Sequence, residues 1–258
     1  MAKVGGSRGS QGRPSRSGRD AGGKRAAKPG GTKGGAKPGG AKSPAKKPPA
    51  KTAVPEAAPA AIEGPFVVGA IPGATPGKWI DAWHERLPEV AFDLRTITVA
   101  EQRSALFGGE LDAALVRLPI DQDGLHVIPL YDEVPVVVAA ADSHLMAVDE
   151  LDLADLVGEV IVVPRDDVLG LEVPGGAAAS FDPPHDTEEA IAIVAAGVGV
   201  VIVPMSLARL HRRKDADYRP LRDAHPSTVA LAWRTGATTA AVDAFVGIVR
   251  GRTANSSR

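Results

Sequence analysis

The chain contains no cysteine. Disulfides, thiol catalysis and thiolate metal sites are therefore excluded. Its six histidines, His84, His126, His144, His185, His211 and His225, are scattered, with no pair four residues apart. A metal site is therefore not expected, and no cofactor is implied. No run of about 18 apolar residues offers a membrane span. The basic N-terminus lacks the apolar stretch that a secretory signal requires. These absences point to a cytoplasmic protein with no membrane partner. No GxSxG, Walker loop or HExxH is present, so catalysis finds no support and the protein reads as a non-enzyme. The acid pairs Asp166-Asp167 and Glu188-Glu189 are sequence neighbours, and the second suits the negative charge preferred at a helix start. The GVGV stretch at 197–200 follows a helix and precedes a strand, the reverse order of a dinucleotide loop.

What the chain does have is a charge divide hidden by a formal net charge of -1. Residues 1–55 hold 14 Lys and Arg against Asp20 alone, while the remainder holds 16 basic and 30 acidic residues. In the first 50 positions, 13 Gly, 6 Pro and 13 Lys and Arg leave Met1 and Val4 as the sole large apolar side chains. Burial there cannot offset a backbone ordering cost of about 1–2 kcal/mol per residue. Residues 1–63 are thus expected to be a disordered basic tail ahead of an acidic folded body. The cations Lys24, Arg25, Lys28, Lys33, Lys37, Lys42, Lys46, Lys47 and Lys51 are candidates for nucleic-acid contact. Such contact would be non-specific and salt-sensitive, because it neutralises phosphates without a fixed geometry to read base edges. A solubilising tail that contacts its own acidic body is the competing reading.

The body alternates strand-like and helix-like segments. FVVGAI at 66–71 reads as a buried strand. PGATPGKW then turns into a helix, with Thr75 placed to cap it and Pro76 at its first position. Trp79, Ile80, Trp83 and Leu87 share one face of that helix. VAFDLRTI at 90–97 alternates as a strand, and Thr98 with Glu101 has capping-box spacing. LDAALVRL at 111–118, HVIPLYDEVPVVVAAA, VIVVP, VGVVIVP and STVALAWR supply further strands. LADLV is read as a short helix, and SLARLHRR as another. Asp186 and Glu189 start a helix that Gly197 ends, and Val242, Phe245, Val246 and Val249 stripe the last one. The pattern is that of an α/β body with a largely parallel sheet.

Five segments in order, GAIPGATPGKW, LFGGELDAALVR, GLHVIPLYDEVPVVVAAADSHLMA, LDLADLVGE and TEEAIAIVAAGVGVVIVP, resemble the effector-binding domain of LysR-type transcriptional regulators. The resemblance runs from about Phe66 to Phe245. The ending FVGIVRGRTANSSR is similar to that of compact actinobacterial proteins grouped with this family. The resemblance implies a two-lobed type II periplasmic-binding-protein fold with a small-molecule cleft and, from the family's side-by-side pairing, a homodimer. It maps the domain to 64–252, with lobe one at 64–137 and 206–252, lobe two at 138–205, and a flexible end at 253–258. The family's winged helix-turn-helix has its place taken here by the tail. The stretch VLGLEVPGGAAASFDPPH stands where the family has a helix and a strand in lobe two.

Ligands in open α/β sheets bind beyond the carboxyl ends of strands, where helix N-termini favour anions. Gly73, Ala74 and Thr75 after the first strand, and Thr98 after the second, are the candidates; both threonines match family positions that meet effectors. Their other reading is helix capping, worth about 1 kcal/mol each. Arg117 would meet a ligand carboxylate through a bidentate pair, or form an internal salt bridge. The resemblance also places Pro164, Arg165 and Thr187 on the cleft from lobe two. Lys78, Trp79, Trp83 and the HRRK cluster at 211–214 have simpler roles as solvated or core side chains. The expected function is a regulator that binds a small anionic metabolite, lacks its own sequence-reading head and touches DNA non-specifically through its tail. The alternative is a metabolite-binding or partner-interaction module with no nucleic-acid role.

Overall fold

A computed structural model describes Ile62 and residues 64–251. Two sheets carry the body. The first has five strands in the order β2-β1-β3-β10-β4. These are β1 (Phe66–Ala70), β2 (Phe92–Thr96), β3 (Ala113–Arg117), β4 (Leu125–Glu133) and β10 (Ser227–Arg234). The second sheet has the order β8-β5-β9, formed by β5 (Pro135–Ala140), β8 (Val201–Pro204) and β9 (Ala216–Pro220). A parallel two-residue pair, β6 (Val160–Ile161) and β7 (Ala177–Ala178), falls between β5 and β8 along the chain. The helices are α1 (Gly77–Arg86), α2 (Gln102–Phe107), α3 (Thr187–Ala195), α4 (Met205–Leu210) and α5 (Ala240–Val249).

Side-chain alternation builds the first lobe. Phe66, Val68 and Ala70 of β1 join Ala113, Leu115, Leu231 and Trp233 on the face covered by α1 and α5. Val67, Ala114, Val116, Ala230 and Ala232 point the other way, against Leu106 of α2. Both faces are covered, which is why β1, β3 and β10 read as continuous apolar runs. Trp83 anchors the first face: it stacks on Phe66 at 4.5 Å and 13°, and its indole N–H donates to the Val90 carbonyl at 2.9 Å. In the second sheet, Val136, Val138, Val201 and Val203 pack under α3 and α4. Val137 and Ile202 face the 3-10 turns His144–Ala147 and Leu153–Leu156, through Leu145 and Leu156.

Three departures from the sequence reading concern the sheets and the lobe bounds. The first sheet is mixed: β2, β1 and β3 are parallel, but β10 runs antiparallel to both β3 and β4. The second sheet is antiparallel throughout. Secondly, the chain does not return to the first lobe at residue 206. Leu207 and Ala208 of α4 bury against the valines of the second sheet, and β9 pairs with β5, so the second unit extends through Leu221. Pro135–Val137 likewise already pairs in the second sheet. Thirdly, the VIVVP strand shrinks to Val160–Ile161. Gly199 is needed beside it: its φ is +66°, and an added Cβ would lie 2.1 Å from the Val160 carbonyl oxygen.

The tail cations from Lys24 to Lys51 lie outside the described residues, as do the expected contacts of that tail and the end at 253–258. Among the described residues, no helix is long and apolar enough to cross a membrane.

Candidate functional site

The chain passes twice between the sheets. Val134 carries it from β4 to β5, and residues 221–226 carry it back from β9 to β10. Arg117 sits at this crossing, at the end of β3, and is 2% exposed. Its main chain is held by a reciprocal pair with the buried Gln102 side chain: Arg117 N–H donates to Gln102 Oε1 at 2.8 Å, and Gln102 Nε2 donates to the Arg117 carbonyl at 2.9 Å. Its Nη1 donates to Glu133 Oε2 at 2.9 Å and to Ser227 Oγ at 2.6 Å. Ser206 Oγ donates to the same Glu133 oxygen at 2.9 Å. Arg117 Nε and Nη2 meet no acceptor among the described residues. Of the two readings of Arg117, the internal salt bridge is the one observed. Burial, reinforced by the Glu133 carboxylate and opposed by Arg117, raises the phenol pKa of neighbouring Tyr131.

The loop after β1 turns through Gly73 at a φ of +85°. An added Cβ there would fall 2.3 Å from Ser206 Oγ, so this loop lies directly on the start of α4. Ala74 packs partly buried between the two cores of the first lobe. Thr75 is exposed and does not cap α1; Pro76 holds the N-cap position and no side chain caps that end. The reason is local: with Pro76 itself outside the first helical turn, Thr75 stands one residue too far back to reach the helical N–H groups. Lys78 is the charged residue of this uncapped first turn, which holds no acid.

Thr98 behaves as its spacing predicts. Its Oγ accepts from Glu101 N–H at 3.2 Å and donates to Glu101 Oε2 at 2.8 Å, one turn ahead of α2. In the second lobe, Thr187 is buried at the first position of α3 and donates to Asp166 Oδ1 at 3.0 Å. Asp186 caps that helix, accepting from Glu189 N–H at 2.9 Å, while the Glu189 carboxylate accepts from His185 N–H. The Glu189 backbone N–H, followed by His185, holds the Asp186 carboxyl below its ordinary pKa. Pro164 is buried and Arg165 exposed.

The seven sequence candidates thus fall into separate groups. Gly73 and Arg117 meet through Ser206 and Glu133, whereas Thr75 and Thr98 form no hydrogen bond with Pro164 or Thr187 among the described residues. Two hollows are lined by other residues. One of about 790 Å³ is lined by His126, Trp233, Asp243 and Arg250; one of about 500 Å³ is lined by Val163, Leu171, Phe181 and Pro184. Sequence reasoning missed Gln102, Glu133, Ser206 and Ser227. The only signal for Glu133 was an acid between two apolar strand runs.

Two α/β lobes joined by two crossings define a binding domain of the periplasmic-binding-protein type. Residues 60–254 match the LysR substrate binding domain, and the chain belongs to that family. It is 33% identical over 158 residues to the HTH-type transcriptional regulator CatR of Pseudomonas putida, covering 57% of this chain and 54% of that protein. It is 27% identical over 188 residues to the DNA-binding transcriptional dual regulator OxyR of Escherichia coli K12, covering 68% and 61%. The chain therefore spans just over half the length of these curated relatives. Among solved structures, oxidised OxyR superposes with a TM-score of 0.61 at 22% identity, over 76% of this chain and 98% of that one. The BenM effector binding domain with its effector benzoate gives 0.60 at 20%, over 75% and 96%. At such identities the likeness shows the fold.

Proposed function

We propose that this protein is a LysR-like transcriptional regulator without enzymatic activity. Its body binds a small anionic metabolite between the lobes, and residues 1–63 contact nucleic acid non-specifically. The match of residues 60–254 to the LysR substrate binding domain carries the reading. The local chemistry supports an anion at the first lobe. α1 follows a parallel strand and has no capping side chain, no acid in its first turn, and Lys78 beside its free N–H groups. α3 differs, because Asp186 already supplies the negative charge at its start. Gly73, Ala74, Thr75 and Thr98 are the proposed contacts from lobe one, and Pro164 and Thr187 those from lobe two. Arg117 acts from behind them, since its Nη1 is committed to Glu133.

BenM takes benzoate, so small carboxylates are the first class to screen. Thermal shift of the full-length chain against such a panel tests the proposal. A ligand present at 100 times its dissociation constant adds about 2.7 kcal/mol to stability. Thr98→Val, which keeps the shape but loses the hydroxyl, is expected to reduce that gain. A panel with no stabilising carboxylate, or a gain that Thr98→Val and Thr75→Val leave unchanged, would count against this site. The module without a nucleic-acid role draws support from the charge divide, since the acidic body offers the tail a partner of its own. Recovery of the protein free of nucleic acid, with and without nuclease, would favour it.

A further inference from the structure

The contacts at the crossing assign a positioning role to Ser206. We propose that Ser206, bonded to Glu133, fixes the angle between the two lobes and holds the second lobe against the Gly73 loop. The inference rests on the two-lobed binding reading only in giving that loop a ligand to meet.

Three observations lead there. α4 belongs to the second lobe by packing, through Leu207 and Ala208. Yet its first two residues are tied to the outgoing crossing: Met205 N–H donates to the Val134 carbonyl at 3.1 Å, and Ser206 Oγ donates to Glu133 Oε2 at 2.9 Å. Glu133 is the last residue of β4 and stands opposite Ser227, the first residue of β10. It is thus anchored in the first lobe, and the buried Arg117 guanidinium holds its carboxylate in place. Ser206 is the side chain that joins this anchored carboxylate to the other lobe.

The third observation concerns the loop. Gly73 is so close to Ser206 that an added Cβ there would overlap its hydroxyl and its Cβ, 2.3 Å and 2.9 Å away. A rotation of the second lobe about the crossings therefore moves Ser206 against Glu133 and against the Gly73 loop together. A hydrogen bond to a charged acceptor out of solvent is directional and costly to leave unmade. One lobe angle satisfies both Ser206 and the Gly73 contact, and other angles give up one of them.

The absence of cysteine makes the test direct. Glu85→Cys on α1 and Ala196→Cys at the end of α3, both exposed, receive spin labels in the full-length chain, and the distance distribution between the lobes is measured by pulsed electron resonance. The parent is expected to give a single narrow distribution. Ser206→Ala is expected to widen it or to shift it by several ångströms. Ser227→Ala is the control, because it removes another bond from the same guanidinium but lies wholly within the first lobe. It is expected to leave the distribution as in the parent. A distribution unchanged in Ser206→Ala overturns the inference. So does equal widening in both variants, which would mark general loosening of the crossing. No metabolite enters the measurement, so its failure and failure of the proposed ligand site are told apart.

Discussion

The Arg117 guanidinium lies 2.9 Å from the Glu133 carboxylate with both groups out of solvent, and two of its nitrogens meet no acceptor among the described residues. Taking two charges out of water costs several kcal/mol per ion, and their attraction returns that only while both are present. Removing one partner is therefore the damaging change. Glu133→Leu leaves a buried cation facing apolar neighbours and is expected to lower the unfolding free energy by about 3–5 kcal/mol, read as a lower urea midpoint. The double variant Glu133→Leu/Arg117→Met removes both charges and is expected to recover most of that loss. A single variant as stable as the parent would show that the pair is not buried as described. Arg117 itself was legible in the sequence as a charge closing an apolar strand. Its partner was not, because nothing local ties residue 117 to residue 133.

Among the elements, α3 was the most readable. Asp186, Glu189 and Gly197 marked its ends, and the structure places the capping bond from Glu189 N–H to Asp186 where the spacing put it. That bond favours the ionised carboxylate, so the Asp186 pKa in the folded chain falls below its unfolded value. Its contribution is complete above the unfolded carboxylate range, about pH 4, and is lost as pH falls through the lower folded value. Asp186→Asn keeps a capping oxygen but not the titration. At pH 7 it is expected to cost less than about 1 kcal/mol, whereas Asp186→Ala costs about 1 kcal/mol or more. Between pH 5 and pH 2, the melting temperature of Asp186→Asn should fall less steeply than that of the parent. Parallel curves would mean that Asp186 is not the titrating cap. β9 was an element missed. ADYRP mixes polar residues with a closing proline on a sheet edge, so it shows neither an apolar run nor a clean alternation. For the same reason the loop before α1 misled: Thr75 followed by Pro76 has the composition of a helix start, but the helix begins one residue later.

For the whole molecule, the division between a cationic segment and an acidic body sets the expected salt response. If residues 1–63 contact nucleic acid, binding of the full-length chain to a mixed-sequence duplex falls linearly on a logarithmic salt scale, with a slope of about -0.9 per phosphate contacted. Deleting residues 1–60 is expected to abolish that binding, and gel shifts across a salt series read both effects. Binding that survives deletion and ignores salt would move the contact to the body. By itself, the sequence determined the charge divide, the identity of most strands and helices, and the apolar faces that make each lobe's core. Those features depend on neighbours within a few positions, where side-chain period and capping chemistry act. Only the tertiary structure decided that β10 runs against β3, that β9 and α4 stay with the second sheet, and that Arg117, Glu133, Ser206 and Ser227 share one point. These four residues are joined by three bonds that span sequence separations of 16, 73 and 110 residues. No local period extends over such distances, so their meeting follows from how the sheets pair and where the chain crosses between them.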